Sequence, residues 1–103
     1  MSDPNPDFIA LTHSLAVFYF DAGQPRPALA LHQRCFHLAS SFGMQEWTLT
    51  SEACLAEVYV ALGMRQQALQ CALSCARGRT RLLGPQHPLT LESLRLLTLV
   101  GEG

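Results

Sequence analysis

The 103-residue sequence has no lysine, a single asparagine and no long apolar run. A helix that spans a bilayer needs about 20 consecutive apolar residues, and the chain has no such stretch. The N-terminal residues lack a basic segment followed by an apolar one, so we expect no secretory signal peptide. These absences predict a cytoplasmic protein that makes no contact with a membrane.

The charges nearly cancel, since eight carboxylates oppose seven arginines and leave a formal net charge of −1. Nucleic-acid binding depends on clustered positive charge, and this balance argues against a nucleic-acid partner. Arg77, Arg79 and Arg81 lie near the end of a predicted helix, where the macrodipole favours positive charge. We interpret them as a solvated helix end, and the docking of an acidic partner segment is the alternative.

The four cysteines, Cys35, Cys54, Cys71 and Cys75, all lie within predicted helices, where a free thiol behaves as a small apolar group. Cys71 and Cys75 are one helical turn apart. In the repeat, Cys35 aligns with Cys75 and His32 aligns with Ala72, next to Cys71, so a metal site on these residues is an alternative. Zinc sites usually draw ligands from tight Cys-x2-Cys turns. We therefore predict packing cysteines and neither metal nor cofactor.

An internal repeat is the most informative feature present. The pattern Leu-Ala-x2-Tyr-x3-Gly-x4-Ala-Leu begins at Leu15 and recurs at Leu55, forty residues later, with the same residue types at the same spacing. Self-similarity at such a period indicates stacked supersecondary units. Stacked units usually form surfaces for partners, so the repeat predicts a binding function.

Five helices are predicted from apolar residues at i+3 and i+4 spacing and from the glycines and prolines between them. They run from about residue 6 to Ala22, from Pro25 to Phe42, from Trp47 to Leu62, from Arg65 to Leu83, and from about residue 88 to residue 100. Gly78 is expected to weaken the fourth helix locally. Two helical hairpins and one unpaired helix make an all-α fold, an α-solenoid of antiparallel hairpins.

The repeated pattern resembles the tetratricopeptide repeat, in which small residues let the two helices of a hairpin approach closely. The junction from Leu83 to Leu91 reads Leu-Gly-Pro-Gln-His-Pro-Leu-Thr-Leu, and it looks like the LGxxHPxTL junction of the kinesin light chain type of repeat. The resemblance implies a single domain over residues 1–103 with about two and a half repeats. The units would cover about 8–43 and 48–84, with a partial unit at 88–100.

The resemblance also implies a binding surface, because the first helices of the units line a concave groove in such arrays. The residues carried onto that groove are Ala10, His13, Val17, Phe20, Asp21, Thr50, Ala53, Cys54, Glu57, Val60, Ala61, Glu92, Arg95 and Leu99. Some relatives clamp a terminal carboxylate with lysine and asparagine. This chain has no lysine, so we do not expect it to bind chaperone tails in that way.

The fifth predicted helix carries leucine or valine on every side, which is unusual for the last helix of an array. We predict a self or partner interface at Leu89, Leu96, Leu99 and Val100. The four histidines have no accompanying carboxylate or serine, so we predict no catalytic residue and no enzyme. The predicted function is a scaffold that binds a protein or peptide. The alternatives are self-assembly as a homo-oligomer, or a regulatory fragment of a larger protein.

Overall fold

A computed structural model describes the chain from residue 6 to residue 102, and it contains five α-helices. They are α1 (Pro6–Asp21), α2 (Pro25–Ser41), α3 (Gln45–Ala61), α4 (Arg65–Leu83) and α5 (Pro88–Glu102). Each helix packs against the next one along the chain, and α1 also contacts α3. The predicted all-α solenoid of helical hairpins is confirmed. None of the described helices is long and apolar enough to cross a membrane.

The turns at the ends of the first three helices share one geometry. Gly23, Gly43 and Gly63 have φ angles of 78°, 68° and 75°, in the left-handed region that favours glycine. The residue after each glycine donates its backbone N–H to the carbonyl five residues earlier, at 2.8–2.9 Å. This is the Schellman ending, which pairs carbonyls that a helix end leaves free. The tight turns hold successive helices antiparallel.

Small residues lie where the helices touch. The four alanines of the repeated pattern, Ala16, Ala28, Ala56 and Ala68, are completely buried. Side chains this small let neighbouring helix axes approach closely, and each contact then buries apolar surface along most of its length. The structure thus confirms the role expected of the repeated alanines.

Gly78 also lies at a close contact between helices, although the sequence predicts only that it weakens α4 locally. A Cβ atom built on Gly78 would overlap the Leu49 side chain of α3. The missing side chain therefore lets α4 lie against α3 at this point. Gly101, in α5, is different, because no atom lies within 4 Å of a Cβ built there.

We expect alanine at these two helical glycines to act in opposite directions. Gly101→Ala should raise the free energy of unfolding by up to about 0.5 kcal/mol, because alanine has the better helix propensity. Gly78→Ala should lower it by about 1 kcal/mol, since Leu49 must leave its packed position. Urea denaturation of both variants measures the difference. Equal stabilisation by the two substitutions would contradict the close contact at Gly78.

The junction between α4 and α5 depends on a buried arginine. Arg79 is only 4% exposed, and its Nη1 donates to Ser93 Oγ at 2.7 Å and to the Leu89 carbonyl oxygen at 3.3 Å. In return, Thr90 Oγ1 donates to the Arg79 carbonyl oxygen at 3.1 Å. The interpretation of Arg79 as part of a solvated helix end is therefore wrong. Its side chain has turned inward to bind the first turns of α5.

Polar contacts fix both ends of α5. At its start, His87 Nδ1 accepts a hydrogen bond from the Leu89 N–H at 3.1 Å, which satisfies a donor that a helix leaves free. At its end, Arg65 donates to the carbonyl oxygens of Val100 and Gly101, at 3.3 and 2.5 Å. A cation at the last carbonyls stabilises a helix end. The helix therefore continues through Gly101, beyond its predicted end.

Arg79→Ala should lower the free energy of unfolding by about 2 kcal/mol, because hydrogen bonds from a charged donor contribute about that much. Arg81→Ala is the matched control, since Arg81 lies on the same helix and is exposed. We expect it to change stability by less than about 0.5 kcal/mol. Chemical denaturation followed by circular dichroism gives both values. Indistinguishable effects would show that Arg79 does not hold α5 in place.

Candidate functional site

A cleft of about 290 Å³ lies where the three odd-numbered helices come together. Its lining residues come from helices that are far apart in the sequence. They are Phe20 from α1, Glu57 and Val60 from α3, and Leu96, Leu99 and Val100 from α5. Phe20, Glu57, Val60 and Leu99 are among the predicted groove residues. The structure therefore brings predicted positions from all three helices to one surface.

The walls of this cleft, which we call the groove, are mainly apolar and open to solvent. Val60 is 50% exposed and Leu99 is 63% exposed. A neighbouring cleft of about 240 Å³ continues past these two residues to Gly63 and Arg65. Apolar side chains that stay exposed side by side are typical of a surface that another molecule covers.

Three carboxylates, one from each odd-numbered helix, interact electrostatically, and one of them, Glu57, lines the groove. They belong to Asp21, Glu57 and Glu92, and all three side chains are exposed. Although the side chain is exposed, neighbouring protein atoms partly desolvate the Glu57 carboxyl and raise its pKa, and the negative charges of Glu92 and Asp21 raise it further. This mutual repulsion indicates that the three charges lie near one another. A cation in the groove would relieve it.

Other predicted groove residues do not line this cleft. Val17 and Ala53 are half-buried, and Arg95 is exposed. Thr50 lines a separate cavity of about 180 Å³ at the junction of α3, α4 and α5. His13 lies against the rings of His32 and Trp47, with centroids 5.5 Å apart in both cases.

The predicted interface on α5 is divided between two surfaces. Leu96, Leu99 and Val100 line the groove, although Val100 is only 5% exposed and offers little area to a partner. Leu89 lines the cavity that contains Thr50. The apolar side chains that the sequence places on every side of α5 thus belong to several separate surfaces.

One surface on α5 was not predicted from the sequence. Leu94 and Leu97 join Leu73 of α4 in an open apolar cleft of about 340 Å³, with Arg77 and Arg81 in its lining. We call it the α4–α5 face. In the sequence, Leu94 and Leu97 are three residues apart. Other leucine pairs on α5 have the same spacing, so it does not single out this surface.

The buried cysteines occupy packing positions. Cys35 Sγ donates to the Ile9 carbonyl oxygen at 3.7 Å, and Cys75 Sγ donates to that of Leu49 at 3.3 Å. Burial raises the pKa of both thiols, so they are protonated at neutral pH. Neither thiol lies in a metal-binding arrangement with Cys71, which was the grouping weighed from the sequence.

A different group of donor residues meets between the first three helices. Ligand atoms of His13 on α1, His32 on α2 and Cys54 on α3 all lie within 4.8 Å of one another. Burial lowers the pKa of His13, and together with the charge of His13 it lowers that of His32 to about 4. Both imidazoles are therefore neutral at pH 7. No local spacing in the sequence signals this group.

Comparisons with known proteins agree with this architecture. A family model described as the tetratricopeptide repeat matches residues 48–89. A crystal structure of a kinesin light chain-like protein of Podospora anserina, with nearly identical TPR-like repeats, is similar over 99% of this chain, with a TM-score of 0.83 and 25% sequence identity. The chain spans only 49% of the length of that protein. No curated protein sequence matches significantly.

The chain is therefore an α-solenoid of helical hairpins. The family model places a tetratricopeptide repeat over residues 48–89, and the chain is similar in fold to kinesin light chain-like repeats, as the junction before α5 predicted. Repeats of this class generally mediate contacts between proteins.

Proposed function

We propose that the chain is a non-catalytic protein-interaction module that binds a partner segment in the groove formed by α1, α3 and α5. The main support is that exposed apolar walls and the Glu57 carboxyl line one cleft, with two further carboxylates close enough to interact with Glu57. Val60 and Leu99 would contact apolar side chains of the partner. The four cysteine thiols are free, which fits the reducing cytoplasm that we propose as its location.

The charge of the groove defines the chemistry of the partner segment. Glu57 is already disfavoured as an anion by Glu92 and Asp21, so a positive charge placed among them gains from all three. A segment with apolar side chains on one side and an arginine or lysine among them is complementary to this surface. Acidic segments would meet repulsion.

Designed helical peptides test this specificity directly. We expect a peptide with apolar anchors and arginines to bind, and the same peptide with glutamates in place of the arginines to bind roughly tenfold more weakly or worse. Binding to the basic peptide should also weaken as pH falls, and at a higher pH than for an ordinary glutamate, because the pKa of Glu57 is raised. Fluorescence anisotropy measures each affinity.

Variants of the chain locate the binding surface. Glu57→Arg should weaken the preference for the basic peptide, while Glu46→Arg, at an exposed position outside the groove, should not. Leu99→Ala should weaken binding, whereas Leu11→Ala, also exposed, should leave it unchanged. The proposal fails if the two peptides bind equally well, or if the groove variants behave like their controls.

Self-assembly is a second candidate function, and the exposed apolar side chains of the α4–α5 face favour it. Leu94 is exposed beside Leu73, and Arg77 and Arg81 give this face a positive charge opposite to that of the groove. In a repeat array, the next helix packs on the uncovered side of the last one. A second copy of the chain would provide such cover.

If chains associate through this face, light scattering should show a mass that rises with concentration, and Leu94→Glu should abolish the rise. Leu11→Glu is the matched control, because it places the same charge at an exposed leucine of α1. A constant monomer mass at all concentrations, or equal effects of the two substitutions, would exclude assembly through the α4–α5 face.

A further inference from the structure

Two buried imidazoles between the first three helices have unsatisfied polar atoms. Nδ1 of His13 and Nδ1 of His32 are buried and make no hydrogen bond. The His32 side chain is only 2% exposed to solvent. A buried polar atom without a partner costs about 1–3 kcal/mol. The fold bears this cost in the first hairpin.

The repeat itself shows that the fold does not require histidine at these positions. Forty residues later, His13 corresponds to Ala53 and His32 corresponds to Ala72. Ala72 is completely buried, so a small apolar side chain fills the equivalent space in the second hairpin. The histidines of the first hairpin are thus an addition to the common pattern, and packing alone does not account for them.

The third member of the group supplies a sulfur. Cys54 on α3 places its Sγ within 4.8 Å of a ring nitrogen of each histidine. Two imidazoles and a thiolate are ligands that zinc binds in proteins, with a fourth position left for water or another molecule. Each ligand comes from a different helix, and the helices α1, α2 and α3 already pack together.

We infer that His13, His32 and Cys54 form a binding site for a borderline-to-soft transition-metal ion, with Zn²⁺ as the representative ion. In tetrahedral zinc sites neighbouring ligand atoms lie about 3.3–3.6 Å apart, as follows from the metal–ligand bond lengths. The three ligand atoms lie within 4.8 Å of one another, so small rotations of the side chains bring them to this spacing.

The binding step exchanges a proton for the metal. A cysteine binds a metal ion as a thiolate, so the Cys54 thiol must lose its proton when the ion binds. The ion replaces that proton, which passes to the buffer, and the sulfur becomes a thiolate ligand. The neutral imidazoles bind through their lone pairs and release no proton. One proton is released for each ion bound.

Metal binding at this place would join the first hairpin to the second. His13 and His32 belong to the two helices of the first hairpin, and Cys54 belongs to the first helix of the second. An ion held by all three adds a link across the boundary between repeats. An ion that binds the folded chain in preference to the unfolded chain raises the free energy of unfolding, and the gain grows with the logarithm of the ion concentration above Kd.

Titration of the full chain with Co²⁺ and then Zn²⁺ tests the site, with any affinity tag removed. We expect one ion per chain, a thiolate-to-cobalt charge-transfer absorption band that zinc displaces, and the release of about one proton per ion. Thermal unfolding with excess Zn²⁺ should shift upward by several degrees. These measurements on the unaltered chain do not depend on whether a variant folds.

Two matched pairs of variants assign the ligands. Cys54→Ser and His13→Gln should each weaken zinc binding by roughly tenfold or more, as loss of a ligand requires. Cys71→Ser and His37→Gln are the controls, because these residues lie outside the group, and they should bind zinc as the unaltered chain does. Circular dichroism establishes that each variant is folded.

Three results would overturn the inference. The first is an unaltered chain that gives no thiolate-to-cobalt band. The second is zinc affinity in folded Cys54→Ser equal to that of the unaltered chain. The third is an equal loss of affinity in Cys71→Ser, which would place the sulfur ligand elsewhere.

Discussion

The structure depends on close contact between neighbouring helices through side chains that are very small or absent. Alanines of the repeated pattern are completely buried at these contacts, and Gly78 leaves room for Leu49 at another. One hairpin alone cannot cover its apolar face, so each hairpin is stabilised by the next. The same contacts set the spacing of the odd-numbered helices, and the groove follows from that spacing.

Polar groups enter this tightly packed interior at two places, with different outcomes. At the α4–α5 junction, the buried Arg79 side chain makes hydrogen bonds to Ser93 and Leu89. Between the first three helices, one nitrogen of His13 and one of His32 stay unpaired. The first arrangement is complete in the chain as it stands. In the second, a bound metal ion would supply the partner that the histidine nitrogens lack.

The groove and the α4–α5 face have opposite charges, and this follows from the uneven distribution of arginine along the sequence. Glu57 lines the groove and interacts with Asp21 and Glu92, whereas Arg77 and Arg81 line the α4–α5 face. Apolar side chains accompany both sets of charges. The two surfaces therefore differ in the sign of their charge.

The amino-acid sequence alone determined the helices, their antiparallel order and the class of repeat, because apolar periodicity, glycine stops and the recurring alanines are local signals. It also indicated most residues of the groove, since a repeat places equivalent positions on the same side. Only the tertiary structure decided that Arg79 is buried, that the α5 leucines separate into several surfaces, and that His13, His32 and Cys54 meet. Those outcomes depend on how helices distant in sequence turn toward each other. Packing sets that rotation, and no local pattern in the sequence records it.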